Sequence, residues 1–168
     1  MSAFTHIHWD HPDIWAILVG RGIGTVEPKF ESVCQRWLEN AGYRLETFNF
    51  VNGISPVVSQ LAEFLHWEAQ FGYRLDPESR NMDALRDGFE VEEPNLVLKL
   101  EHFEQAWSEN EVWSRGFLSI VSEHSLRQLA LGKRFFAILP VADASSLIGQ
   151  HFEELCVSPP FRFRGPVA

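Results

Sequence analysis

Apolar positions along this chain come in two rhythms, short unbroken runs and stripes at helical spacing. Residues 14–19 (IWAILV) form the first run, closed by Gly20, Gly22 and Gly24, and read as a buried strand. Pro28 opens a helix whose Phe30, Val33, Cys34, Trp37 and Leu38 make one stripe, with Gly42 placed to end it. Residues 43–51 alternate, with Leu45, Thr47, Asn49 and Val51 on one side. They read as a second strand, stopped by Asn52 and Gly53. Ser55 as cap and Pro56 at the first helical position begin a helix carrying Val57, Val58, Leu61, Phe64 and Leu65.

Residues 70–80 are polar, contain Gly72 and Pro77, and predict a loop. Residues 81–89 predict a short helix. Residues 95–100 (NLVLKL) predict a third strand after Pro94. Residues 104–131 read as a long helix, with the serines at 122–125 offering a point for a break. Residues 134–139 (RFFAIL) predict a fourth strand, residues 143–156 a last helix, and the three-proline tail 158–168 an extended end. The order βαβααβαβα, with strands apolar on both faces, predicts an α/β fold: one domain built on a mostly parallel sheet covered by helices. Right-handed crossovers are then expected.

Composition adds a charge bias. The 168 residues carry a net charge of −9, which disfavours nucleic-acid and anionic-membrane partners and favours a basic protein. Between residues 76 and 109 stand ten acids (Asp76, Glu78, Asp83, Asp87, Glu90, Glu92, Glu93, Glu101, Glu104, Glu109) against Arg80, Arg86 and Lys99. Six Trp and fourteen Phe supply area for a substantial core. Cys34 and Cys156 lie far apart and fall on apolar stripes, so buried thiols are expected. No basic start followed by an apolar run opens the chain, and no stretch approaches the length of a membrane span, so a reducing cytoplasm is expected.

Catalytic patterns are weak. His6, His8 and His11 beside Asp10 could offer ligands on an extended chain, but no acidic partner recurs at matching spacing, and no metal or cofactor is assigned. The run Gly20-Arg21-Gly22-Ile23-Gly24-Thr25 lacks both the dinucleotide and the phosphate-loop spacing and suits a tight strand-to-helix turn. No serine or cysteine has an evident histidine partner, and no catalytic residue is expected.

Residues 80–89 (RNMDALRDGF) stand out instead. Asn81 suits an N-cap and Gly88 a C′ position. Met82, Leu85 and Phe89 can pin the helix to the core, leaving Asp83 and Asp87 on the opposite side. Asp83 is favourable at the positive end of the helix dipole. Asp87 opposes the negative end and repels Asp83. Local rules broken without local gain mark functional positions.

This stretch resembles the barstar family of ribonuclease inhibitors, whose pattern is a strand, a Gly turn, a helix, a loop and then N-L-D-A-L-x-D. Here residues 48–51, Asn52-Gly53, residues 55–67 and Asn81-Met82-Asp83-Ala84-Leu85-Arg86-Asp87 stand in that order. Residues 101–105 (EHFEQ), after the third strand, and residues 132–140 also fit, so the likeness spans about 43–141. The resemblance implies a three-stranded parallel sheet with helices. Residues 1–42 would then add an N-terminal βα unit, and residues 142–168 a C-terminal helical extension.

It also implies an immunity or antitoxin protein, not an enzyme, that occludes the active site of a basic nuclease, most naturally a ribonuclease, in a one-to-one complex. Asp83 and Asp87 would face the catalytic cleft, with Asn81 at the helix start. Arg86 and Glu90, which the resemblance does not carry over, are expected to complete the toxin-binding set. The chain departs from the family in three places, the first being the tyrosine- and glycine-containing lead-in to the asparagine, which is Pro77-Glu78-Ser79-Arg80 here. Arg86 stands where the family has an aromatic residue, and Arg127 falls at its second acidic contact. The target surface therefore differs. Residues 161–164 (FRFR) are expected to pack on the domain. A general protein-interaction module of the same fold, with no toxin, and a small metallo-hydrolase using His6, His8 and His11 are the other function classes considered.

Overall fold

A computed structural model describes residues 11–78, 81–91 and 93–162. Four parallel strands, β1 (Ile23–Val26), β2 (Arg44–Asn49), β3 (Leu96–Glu101) and β4 (Phe135–Pro140), form one sheet in the order β1-β4-β3-β2. The β3 and β4 strands lie at its centre and are almost wholly buried, as continuous apolar runs require. One face carries Phe48, Leu96, Leu98, Leu100, Phe135, Ala137 and Leu139. It is covered by α3 (Ile54–Phe64), α4 (Trp67–Phe71), α5 (Met82–Gly88), α6 (Phe103–Glu109) and α7 (Glu111–Ala130). The other face, with Val97, Phe136 and Ile138, packs against α2 (Glu31–Asn40) and an N-terminal helical segment. The chain crosses from β1 to β2 over one face, and from β2 to β3 to β4 in the reverse direction over the other. All three crossovers thus share one hand.

Several predicted elements change. Residues 14–19 are not a strand. Pro12–Ile14 form α1 and Trp15–Val19 continue it as a π-helical turn. Pro12 at the first helical position and Asp13 in the first turn are helix-start features, and the apolar run is buried on one side only, through Ala16 and Ile17. The glycine run is accordingly a helix-to-strand turn. Gly22 adopts φ 92° there, and a Cβ on Gly24 would lie 2.8 Å from that of Ala16, so the glycine lets the helix settle on β1.

The second strand stops at Asn49, two residues early, and Phe50–Asn52 form a 3-10 turn. Gly53, not Ser55, precedes α3, whose first amide, on Ile54, is held by the Glu109 carboxylate at 2.9 Å. The start of the expected loop is helical, in α4, after His66 adopts a left-handed backbone.

The long helix breaks at Asn110 rather than at residues 122–125. Asn110 caps α7 by accepting the Trp113 amide at 2.9 Å. The serines continue the helix because their hydroxyls donate across it, Ser122 to the Arg21 carbonyl and Ser125 to that of Phe135, both at 2.6 Å. The expected last helix is a series of turns and a two-stranded hairpin, β5 (His151–Phe152) and β6 (Leu155–Cys156). Gly149, at φ 80°, interrupts it, and Leu147, Phe152, Leu155 and Val157 supply its buried residues. Cys156 therefore sits on a half-buried strand, 3.4 Å from the His151 ring, and not on a helix. Cys34 is buried, and burial, with Glu31 nearby, pushes its thiol up to about 12. Phe161 is buried and pairs with the edge strand at Val26, while Phe163 and Arg164 lie outside the described residues.

Two charge clusters lock the face away from α5. Asp13, 1% exposed, accepts from the Tyr43 hydroxyl at 2.6 Å and from Arg134 at 2.9 Å. Lys99 pairs with Glu31 and, at 2.8 Å, with Glu101. Burial pulls its ammonium down, but the bonds to Glu101 and Glu31 outweigh that and hold it above its ordinary value.

Candidate protein-binding site

The α5 helix is built as the alternation of its residues dictates. Leu85 is 3% exposed and Phe89, just beyond the helix, 2%. Met82 rests on Gly116 of α7, where an added Cβ would lie 3.2 Å from its Cγ. The Asn81 side chain accepts the amides of Asp83 and Ala84, each at 3.1 Å. A helix this short has little intrinsic stability, so the cap and the packed face hold it. Replacing Asn81 by alanine should lower folding stability by about 1 kcal/mol, read from urea denaturation. A loss under a few tenths would show that the packed face alone fixes the helix.

Gly88 is not a left-handed C′ residue. It ends α5 and is buried, and Phe89 follows as the C-cap. Its need for glycine is steric. A Cβ there would meet Trp67 Cζ3 at 2.4 Å and Phe71 Cε2 at 2.9 Å. The α5 C-terminus is thus pressed onto α4, and the Gln70 amide reaches the Gly88 carbonyl at 3.5 Å.

The chain beyond α5 is clamped to α7. His124 Nε2 lies 3.2 Å from the Val91 carbonyl, and Gln128 donates to the same oxygen at 3.0 Å. Burial pulls the His124 imidazole below its ordinary 6.5. The folded state therefore prefers neutral His124. This contribution to stability is complete above pH 6.5 and declines as the pH falls through the lowered folded value. His124→Gln should flatten that limb in denaturation midpoints measured from pH 7.5 to 5. An unchanged limb would assign the acid sensitivity elsewhere.

All five residues of the expected binding set lie on one short segment and are exposed. The Asp83 side chain is 95% exposed. Arg86 reaches along the surface to α7, where it pairs with Glu123 at 3.2 Å, and it approaches Asp83 at 3.8 Å. The Arg86 guanidinium is therefore engaged within the protein. Glu123, which sequence reasoning missed, joins the same surface from α7. No spacing rule links it to α5, since 37 residues separate it from Arg86.

Asp83, Asp87, Glu90 and Glu123 against Arg86 leave this exposed surface net negative, on a helix held at its cap and at its exit. Carboxylates presented on an anchored helix can accept paired hydrogen bonds from arginine or lysine and mimic phosphates in a cationic cleft. Of the other candidate chemistry, His11 packs its ring 5.3 Å from Trp37, while His6, His8 and Asp10 lie outside the described residues. Among the described residues no three His, Cys, Asp or Glu are grouped to hold a metal ion, and no helix is long and apolar enough to cross a membrane. In comparisons with known proteins, no family model, no curated protein and no solved structure matches the chain.

Proposed function

We propose that this protein is a barstar-like immunity protein that binds a basic nuclease toxin, most naturally a ribonuclease, in the cytoplasm and occludes its active site through α5. The observation that carries this reading is the form of α5. Asp83 and Asp87 project into solvent from a helix whose other face, cap and exit are all fixed. A helix backbone already held in place loses little entropy on binding, so more of the attraction between its carboxylates and a cationic cleft appears as affinity.

The order of elements supports the same reading. Strands β2, β3 and β4 lie side by side in parallel, with the acidic helix in the first crossover and α6 and α7 in the second. Net charge of −9 favours fast encounter with a basic protein. The test is a binding titration with purified basic ribonucleases, beginning with any nuclease encoded beside this gene, repeated at rising salt. Tight one-to-one binding, with an association rate that falls steeply with ionic strength, is expected. Absence of binding to any of them at low salt would remove the toxin reading.

A further inference from the structure

The β5–β6 hairpin sets His151 directly opposite Cys156, and Phe152 opposite Leu155. Phe152 and Leu155 are buried, so by the alternation of strands the other pair faces outward. There His151 is exposed, Cys156 is half-buried, and Cys156 Sγ lies 3.4 Å from His151 Nε2. Strand pairing makes this contact between a nucleophilic sulfur and an imidazole nitrogen. The hairpin backbone that carries it is held at three points. Glu153 turns the chain at φ 51°, and its carboxylate accepts from the Ser119 hydroxyl of α7 at 3.0 Å. Arg21 donates to the Glu154 carbonyl and pairs with the Glu154 carboxylate, both at 2.8 Å. Arg115 of α7 donates to the His151 carbonyl at 3.2 Å, with its guanidinium 5.3 Å from the ring centres of both Trp107 and Phe152.

We propose that Cys156 is a site of reversible thiolation by small disulfides, with His151 as its general base. With the imidazole proton on Nδ1, Nε2 takes the proton of the Cys156 thiol. Sγ then attacks one sulfur of the disulfide and the S–S bond breaks. The second sulfur leaves as a thiolate and collects a proton from the imidazolium or from water. One mixed disulfide on Cys156 and one small thiol result. Two features select this chemistry. The Cys156 sulfur is accessible beside its base, whereas Cys34 is 1% exposed and its thiol is pushed up to about 12 by burial. A metal ion is the other ligand that a Cys–His pair suits, but among the described residues no three His, Cys, Asp or Glu are grouped to hold one. The proposal does not rest on the toxin reading.

The test uses the full, reduced chain and 2-hydroxyethyl disulfide, a neutral probe, with the adduct located by peptide mass spectrometry. Cys156 should form the mixed disulfide while Cys34 stays free. At about pH 7 Cys156 should react about threefold faster in the folded protein than in the same chain unfolded in concentrated urea. His151→Gln, at an exposed position, should remove that advantage. At about pH 10, where an exposed thiol ionises without help, wild type and variant should react alike. Three results would each overturn the proposal. They are a folded-state rate no higher than that of the unfolded chain, equal rates for wild type and His151→Gln at about pH 7, and a deficit in the variant that persists undiminished at about pH 10.

Discussion

Replacing Asp83 and Asp87 together by alanine should weaken nuclease binding by about 4 kcal/mol or more, roughly a thousandfold in Kd. Each carboxylate lost from a buried interfacial charge pair costs about 2–5 kcal/mol, a range set partly by barstar's own complex. The same substitutions should leave the protein folded. Both side chains are exposed in the free protein, and Asp87 works against the helix dipole and against Asp83. Folding stability should stay within about 0.5 kcal/mol of wild type or rise slightly. Isothermal titration with urea denaturation reads both quantities. Lost affinity with retained stability assigns the pair to binding. Retained affinity at low and high salt would refute the site, and lost stability would make the two aspartates structural.

Phe89→Ala should do the reverse, lowering folding stability by about 3–5 kcal/mol. The Phe89 ring fills the space where the α5 exit meets the core, with ring centroids 5.4 Å from His124, 6.0 Å from Phe135 and 6.5 Å from Phe117. Truncation leaves a cavity that neither β4 nor α7 can close without moving. The clamp on Val91, two residues on, would loosen with it. Binding should weaken as a consequence, because α5 would no longer be pre-ordered. A stability loss below about 1 kcal/mol would mean that the α5 exit is not integral to the core.

The central α/β architecture was legible because its signals are local. The runs at 95–100 and 134–139 are apolar on both faces and could only be buried strands, and the α2 stripe repeats at helical spacing. The anchoring of α5 followed from Asn81 and from the positions of Leu85 and Phe89. The misread run at 14–19 had the right composition for a strand. Its helix-start features, Pro12 and Asp13, lie just before the apolar run. The serines of α7 looked like breakers because their partners, the carbonyls of Arg21 and Phe135, are distant contacts or lie beyond the helix. Glu123, Trp67 and the His124–Gln128 clamp were invisible for the same reason. Each acts on α5 through tertiary packing that no spacing within the segment encodes.

Competition with substrate distinguishes occlusion of a nuclease cleft by α5 from binding elsewhere on the enzyme. A non-cleavable oligonucleotide analogue would be titrated against the complex of this protein with the basic nuclease that the binding titration selects. If α5 fills the cleft, the two ligands exclude one another, and the apparent Kd of the protein rises in proportion to the oligonucleotide concentration. A ternary complex, with affinity for the protein unchanged at saturating oligonucleotide, would contradict the account.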